Sequence, residues 1–159
     1  MNGSSVPFLA EVPSCSFTVG RLSLGEFFHR IVRISGCGIV LDVSHVLSYA
    51  LSTGRRPADV LDSLPLDAVV EVHVAGGRIN KSYPFRYIDS HSDPVMDDVL
   101  DLLGHAVERC AGLRAVTYEI GMQLTAQMLA HDFERIEVVL AQLGFEPRLI
   151  GPGKAELRT

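Results

Sequence analysis

The chain switches repeatedly between apolar runs with the period of a strand and apolar stripes with the period of a helix. Phe8-Leu9-Ala10-Glu11-Val12, bracketed by Pro7 and Pro13, reads as a short strand. Ser23-Leu24-Gly25-Glu26 fits a capping box, in which the serine oxygen and the glutamate satisfy the free N–H groups of a helix start. Phe27, Phe28, Ile31 and Val32 follow at helical spacing, and Gly36 ends that helix. Gly38 to Val43 is a nearly continuous apolar run with Asp42 near its end, the pattern of a strand buried on both faces of a parallel sheet. Pro57 to Leu64 predicts a short helix closed by Pro65.

From Ala68 to Val74 polarity alternates, with Val70, Val72 and Val74 on one face and Glu71 and His73 on the other, until Gly76-Gly77 breaks the run. Tyr83 to His91 reads as another strand, with Asp89 and His91 two residues apart on one face. Asp93-Pro94 marks a helix start, since aspartate caps and proline is preset for the first turn. That helix runs through Val95, Val99, Leu102, Leu103 and Ala106 toward Gly112. Ala115 to Ile120 is the last predicted strand. Ala126 to Leu143 is an amphipathic helix with Met128, Leu129, Phe133, Ile136, Val139, Leu140 and Leu143 on its apolar face, stopped by Gly144. Strands and helices in alternation define an α/β fold with a parallel sheet.

Composition narrows the function classes. The 159 residues are 47% hydrophobic and 21% charged, enough for one core and most simply a single domain over residues 1–159. Fourteen Lys and Arg against 19 Asp and Glu give a net charge of −5, whereas a nucleic-acid binder needs a basic stripe to neutralise phosphates. Only Arg55-Arg56 is locally basic, and no apolar run approaches the ~18 residues of a membrane span. Met1 to Ser5 lacks the charged and apolar regions of a secretory signal. Cys15, Cys37 and Cys110 form no CxxC pair, so neither a disulfide framework nor a zinc knuckle is indicated and a reduced, cytoplasmic setting is expected. Neither a dinucleotide fingerprint, a P-loop nor a Gly-x-Ser-x-Gly elbow is present.

The chemistry concentrates at the strand ends. Each predicted strand finishes with a group able to bind a metal or move a proton: Glu11, Asp42 with His45, His73, Asp89 with His91, and Glu119. In α/β proteins the C-terminal ends of parallel strands line the active site, so these seven are expected in one crevice. Imidazole with carboxylate and no thiolate suits iron, manganese or zinc in a catalytic site. Plainer roles compete. A lone histidine is more often a packing residue than a ligand, and an acid at a strand end is often a helix cap, which alone could explain Asp42 or Asp93. Glu71 points inward one layer below His73, where an ion pair explains it. His29, His105 and His131 fall inside helices and read as structural or surface residues, in contrast to the three histidines beside acids. Cys15 is the one cysteine near the expected site, and the others read as small core or loop residues.

The strings Leu41-Asp42-Val43-Ser44-His45, Glu71-Val72-His73-Val74-Ala75-Gly76 and Ile88-Asp89-Ser90-His91-Ser92-Asp93-Pro94-Val95, followed by Tyr118-Glu119, resemble the multinuclear non-heme iron-dependent oxidative enzymes. The H-x-A-G and I-D-x-H-x-x-P-V strings are the specific ones. Glu11-Val12-Pro13-Ser14 resembles the E-N-P-S segment of that family, with Val12 in place of asparagine, and Ser44-His45 stands where two asparagines are usual. The resemblance runs from Pro7 to Leu143. It implies a xylose-isomerase-like (β/α)8 TIM barrel with two or three iron ions at its mouth and dioxygen as co-substrate. It also implies oxidation of cysteine, or another residue, in a ribosomally made precursor peptide, as in methanobactin biosynthesis, with a partner protein presenting the peptide. Carried over by motif, the metal ligands are Glu11 (bridging), Asp42, His45, His73, Asp89, His91 and Glu119, and Glu11, His73 and Asp89 take the catalytic roles.

A complete barrel needs about 250 residues. The resemblance places the start of this chain at the family's fourth strand, so it corresponds to strands four to eight, a C-terminal portion. A truncated product, one half of a split enzyme whose N-terminal half is separate, a fragment or a mis-called start would each give that span, and its open parallel edges call for another chain to cover them. Two other readings stand beside this one. One is a divalent-metal isomerase or hydrolase on the same barrel, using no oxygen. The other is an inactive half-barrel that binds a partner chain.

Overall fold

A computed structural model describes residues 7–14, 20–81 and 87–145. Its elements in chain order are β1 (Leu9–Glu11), α1 (Leu24–Ser35), β2 (Gly38–Asp42), α2 (Val43–Thr53), α3 (Pro57–Asp62), a 3-10 turn (Leu66–Ala68), β3 (Val69–Ala75), β4 (Gly77–Ile79), β5 (Tyr87–Asp89), α4 (Asp97–Arg109), β6 (Ala115–Glu119) and α5 (Ala126–Gln142). Four strands form a parallel sheet in the order β1-β2-β3-β6, so the architecture is mixed α/β as expected. Register places Asp42 beside His73, His73 beside Thr117 and Ala75 beside Glu119, which stacks the polar strand ends at one edge of the sheet.

Local chemistry explains most element ends. The Ser23 hydroxyl accepts from the Glu26 N–H (3.3 Å) while the Ser23 N–H donates to the Glu26 carboxylate (2.8 Å), forming the predicted box at the start of α1. Gly36, at φ 68°, closes that helix in the left-handed conformation that an L side chain resists. In β3, Val72 and Val74 are fully buried beneath α2 and α4, while Glu71 and His73 project from the opposite face. The core runs from Phe28 of α1 through Leu41, Val46, Leu61, Val72 and Leu103 to Ile136 and Leu140 of α5.

Three expectations are corrected. Val43–Thr53, of which the sequence pattern assigns only Val43, to the preceding strand, is a helix whose residues 43–50 are all buried; Val43, Val46, Leu47, Ala50 and Leu51 fall at helical spacing. Of the strand expected over Tyr83–His91, residues 83–86 lie outside the described residues, and among the described ones Tyr87–Asp89 is a strand that pairs antiparallel with β4 rather than joining the parallel sheet. The helix expected at Asp93-Pro94 begins at Asp97. The Asp93 carboxylate is occupied by the Ser90 hydroxyl (2.6 Å) and the Arg78 guanidinium (2.5 Å), so it braces a loop instead of capping.

Candidate metal centre

The backbone brings all seven predicted residues into one continuous contact network. Asp42, last in β2, uses Oδ1 to accept the N–H groups of Ser44 (2.7 Å) and His45 (3.1 Å), so it is the cap of α2. Capping sets His45 in the first turn of that helix, where the sequence placed it at a strand end. The His45 ring spans the cluster: Nδ1 lies 2.6 Å from the Val12 carbonyl oxygen and Nε2 lies 2.7 Å from Asp89 Oδ2. Because the Val12 contact uses the main chain, valine serves at that position as well as asparagine. Glu11 Oε1 is 3.8 Å from His45 Nδ1.

Asp89 also approaches His91 Nε2 (3.2 Å), and His91 Nδ1 approaches Glu119 Oε2 (3.3 Å). Glu119 Oε1 sits 2.8 Å from His73 Nδ1, and Glu71 Oε1 lies 3.2 Å from His73 Nε2, the inward pairing expected of Glu71. The Thr117 hydroxyl donates to that same Oε1 of Glu71. The remaining histidines stay outside this network in α1, α4 and α5; His105 pairs with Asp62 at 2.7 Å. Cys37 and Cys110 are buried free thiols, burial pushing Cys110 up to about 11, and Cys15 lies outside the described residues.

His91 is the one described non-glycine residue with positive φ, at 53°. Two glycines make room for it. A Cβ on Gly76 would stand 1.7 Å from the Asp93 carbonyl oxygen, and one on Gly121 would stand 2.2 Å from Ser92 Oγ. The His91 N–H donates to the Gly76 carbonyl (2.9 Å) and its carbonyl accepts from the Gly121 N–H. The glycine of H-x-A-G is thus a close-approach residue, letting the histidine loop cross directly over the end of β3.

Electrostatics and unmet hydrogen bonds together test whether these residues fit a metal. Burial alone would depress the His45 imidazolium, but the Asp89 hydrogen bond and the charges of Asp42 and Asp89 raise it to about 9. Burial raises the Asp42 carboxyl, while Asp89, against the same penalty, is held below its usual range by His45. Asp42 Oδ2 is buried without a hydrogen-bond partner, while Asp89 Oδ1 and His73 Nδ1, also buried, meet only His91 Nε2 (3.2 Å) and Glu119 Oε1 (2.8 Å) out of hydrogen-bonding alignment, and such atoms are costly unless something satisfies them. Two groups offer ligand atoms within 4.8 Å of one another: His45, Asp89 and His91, and Glu11, Asp42 and His73. The residues fit metal ions.

Sequence reasoning missed one site neighbour. Asp132 of α5 is fully buried, while the adjacent Phe133, expected on the apolar face, is 43% exposed. An acid among the other charges of a helix gives no signal in the sequence. No described helix is long and apolar enough to cross a membrane.

The family described as "RiPP precursor modification enzyme MbnB/TglH/ChrH" matches residues 4–141. A UPF0276 protein of Chromobacterium violaceum is 33% identical over 93 residues, covering 58% of this chain and 33% of that protein. A UPF0276 protein of Streptomyces avermitilis is 35% identical over 89 residues, 56% of this chain and 18% of that protein. One from Bordetella bronchiseptica is 29% identical over 140 residues, 86% and 48%. The chain thus spans less than half the length of these relatives. The family match includes every converging side chain from Glu11 to Glu119, and the chain belongs to the MbnB/TglH/ChrH family of RiPP precursor modification enzymes.

Proposed function

We propose that the chain carries the metal-binding part of an iron- and dioxygen-dependent enzyme that oxidises cysteine, or another residue, in a ribosomally synthesised precursor peptide. The observation that carries this reading is the convergence of three histidines and four carboxylates, with the buried Asp42 Oδ2 left without a hydrogen-bond partner among them. His45, Asp89 and His91 form a two-histidine, one-carboxylate group, the donor set of non-heme ferrous oxygenases. Glu11, Asp42 and His73 form a second group, and Glu119, which touches both His73 and His91, lies between the two. Iron held there would supply redox chemistry toward dioxygen and an anchor for a substrate thiolate, work that side chains cannot do.

The chain's own residues do the positioning. The Val12 carbonyl accepts a hydrogen bond from His45 Nδ1–H and leaves Nε2 facing Asp89 and the cluster. Ligation requires neutral imidazole, so His45 gives up its second proton on metal binding. Glu71 orients His73 through Nε2 and leaves Nδ1 for a ligand role. Asp42 divides its oxygens between the α2 cap and the site. Sequential parallel strands with helices on one side suit a xylose-isomerase-like (β/α)8 barrel. We read the sheet as part of its C-terminal half, with further strands completing the wall and a partner protein presenting the peptide.

The test is anaerobic purification and metal mass spectrometry per folded chain. Two or more irons are expected, with metal lost in His73→Ala and in His91→Ala. A folded protein that holds no metal, or variants that hold as much as wild type, refutes the reading. The carboxylate-rich second group would equally suit a redox-inert ion in a hydrolase or isomerase. Consumption of dioxygen with a cysteine-containing precursor peptide separates these, since the alternative consumes none.

A further inference from the structure

We propose that Asp132, backed by Arg135, is a positioning residue that holds His91 and Glu119 together at the metal centre; the inference rests on the metal-centre reading above. Asp132 lies on α5, away from the cluster, and its side chain is 1% exposed. Its Oδ2 accepts two hydrogen bonds from segments that otherwise meet only at the site: the Val95 N–H (3.1 Å) and the Tyr118 hydroxyl (2.9 Å). Its Oδ1 accepts from Arg135 Nη1 (3.2 Å), which also donates to the Val95 carbonyl (2.6 Å), while Nη2 reaches Asp97. Aspartate and arginine therefore take both main-chain groups of Val95.

Val95 ends the loop that begins at His91, and Tyr118 immediately precedes Glu119. Alternation along β6 sends Tyr118 toward α5, where it meets Phe133 edge-on, and Glu119 toward the cluster. One buried carboxylate thus fixes the outer side of two segments whose inner side chains touch, His91 Nδ1 to Glu119 Oε2, at 3.3 Å. His91 needs such support. Its left-handed backbone is sparsely populated for a residue with a Cβ and persists only where surroundings over-determine it. Gly76 and Gly121 hold the loop at His91, and Asp132 with Arg135 hold its other end. A buried carboxylate costs a great deal unless paired, and here the pairing is with the loop it braces.

The test uses the full chain with labelled histidines and the variants Asp132→Leu, which keeps the branched heavy-atom skeleton and removes both acceptors, and Tyr118→Phe, which removes one hydroxyl. In the metal-free protein, Asp132→Leu is expected to shift the His91 imidazole resonances and to lower the hydrogen-exchange protection of the His91 amide about tenfold or more. The resonances of His105, paired with Asp62, should stay where they are. Tyr118→Phe should move the same His91 signals less, and it decides the question if Asp132→Leu does not fold. His91 signals and protection unchanged in a folded variant overturn the proposal. Titration of the same samples with Co2+ should show affinity falling about tenfold or more in Asp132→Leu, the scale of lost support behind a ligand. Wild-type protein that takes up no Co2+ would count against the metal reading, while the His91 signals would still decide the positioning.

Discussion

Replacing Gly76 with alanine tests whether the close crossing of two backbones holds the centre together. The added Cβ would stand 1.7 Å from the Asp93 carbonyl oxygen and 2.8 Å from its carbon. Restoring ordinary contact, 3.4 Å or more, requires the loop to move by about 1.7 Å. Those atoms are main chain, so no flexible side chain can swing aside. Gly76 is not among the positive-φ glycines, and the penalty is therefore steric rather than conformational. The loop cannot yield cheaply, since it is tied to Gly121 at one end and to Asp132 and Arg135 at the other. Overpacking of this kind costs about 1–3 kcal/mol, and losing the His91 N–H to Gly76 bond adds about 1 kcal/mol. For a chain of this size each kcal/mol lowers Tm by roughly 2–4 °C, so a fall of roughly 4–16 °C is expected by circular dichroism. Moving the loop also draws His91 away from Asp89 and Glu119, and metal content should fall with it. A Tm within about 2 °C of wild type together with unchanged metal content would refute the reasoning, because the crossing would then be slack.

Other changes separate single causes. Gly104→Ala lies inside α4, where the new Cβ meets only Val139 Cγ1 at an ordinary 3.6 Å; the helix should gain about 0.5–1 kcal/mol, seen as a raised Tm with unchanged metal content. Asp42→Asn keeps an oxygen for the α2 cap and discards the charge, so it should retain most of its stability and lose metal. Asp42→Ala should lose metal and in addition about 1 kcal/mol or more of stability by denaturant titration; equal metal content in Asp42→Asn and wild type would reduce Asp42 to a cap. The capping box holds Glu26 below its ordinary 4.5 through the Ser23 backbone and hydroxyl bonds. A group depressed in the folded state adds stability above its unfolded value and loses it as pH falls through the folded one. The stability advantage of wild type over Glu26→Gln should therefore shrink in urea titrations as pH falls below the ordinary 4.5 and through the lower folded-state value, and a constant difference would contradict it.

Every predicted site residue lies in the cluster, although two of the backbone settings assumed for them were wrong. His45 was expected at a strand end and stands in the first turn of a helix; Asp89 was expected on a barrel strand and stands in an antiparallel hairpin. Residue type at the chain positions was legible because β3 and β6 deliver alternate residues to opposite faces, whatever packs around them. The helix after Asp42 carries its period in Val43, Val46, Leu47, Ala50 and Leu51, but its start was masked because the apolar run of β2 continues into Val43 without a break. Asp132 was hidden for a different reason: its partners, Val95 and Tyr118, lie 37 and 14 residues away in sequence.

The sequence by itself determined what neighbours within a turn decide: the Ser23–Glu26 box, the glycine stop at Gly36, the inward placing of Glu71 and His73, and the types of group available to a metal. Only the tertiary structure decided which groups meet. The His45–Asp89 pair spans 44 residues, and the passage of the His91 loop over Gly76 depends on the β4–β5 hairpin. These are choices among long-range pairings, made by burying apolar faces and satisfying buried polar atoms, and no short window of sequence contains both partners.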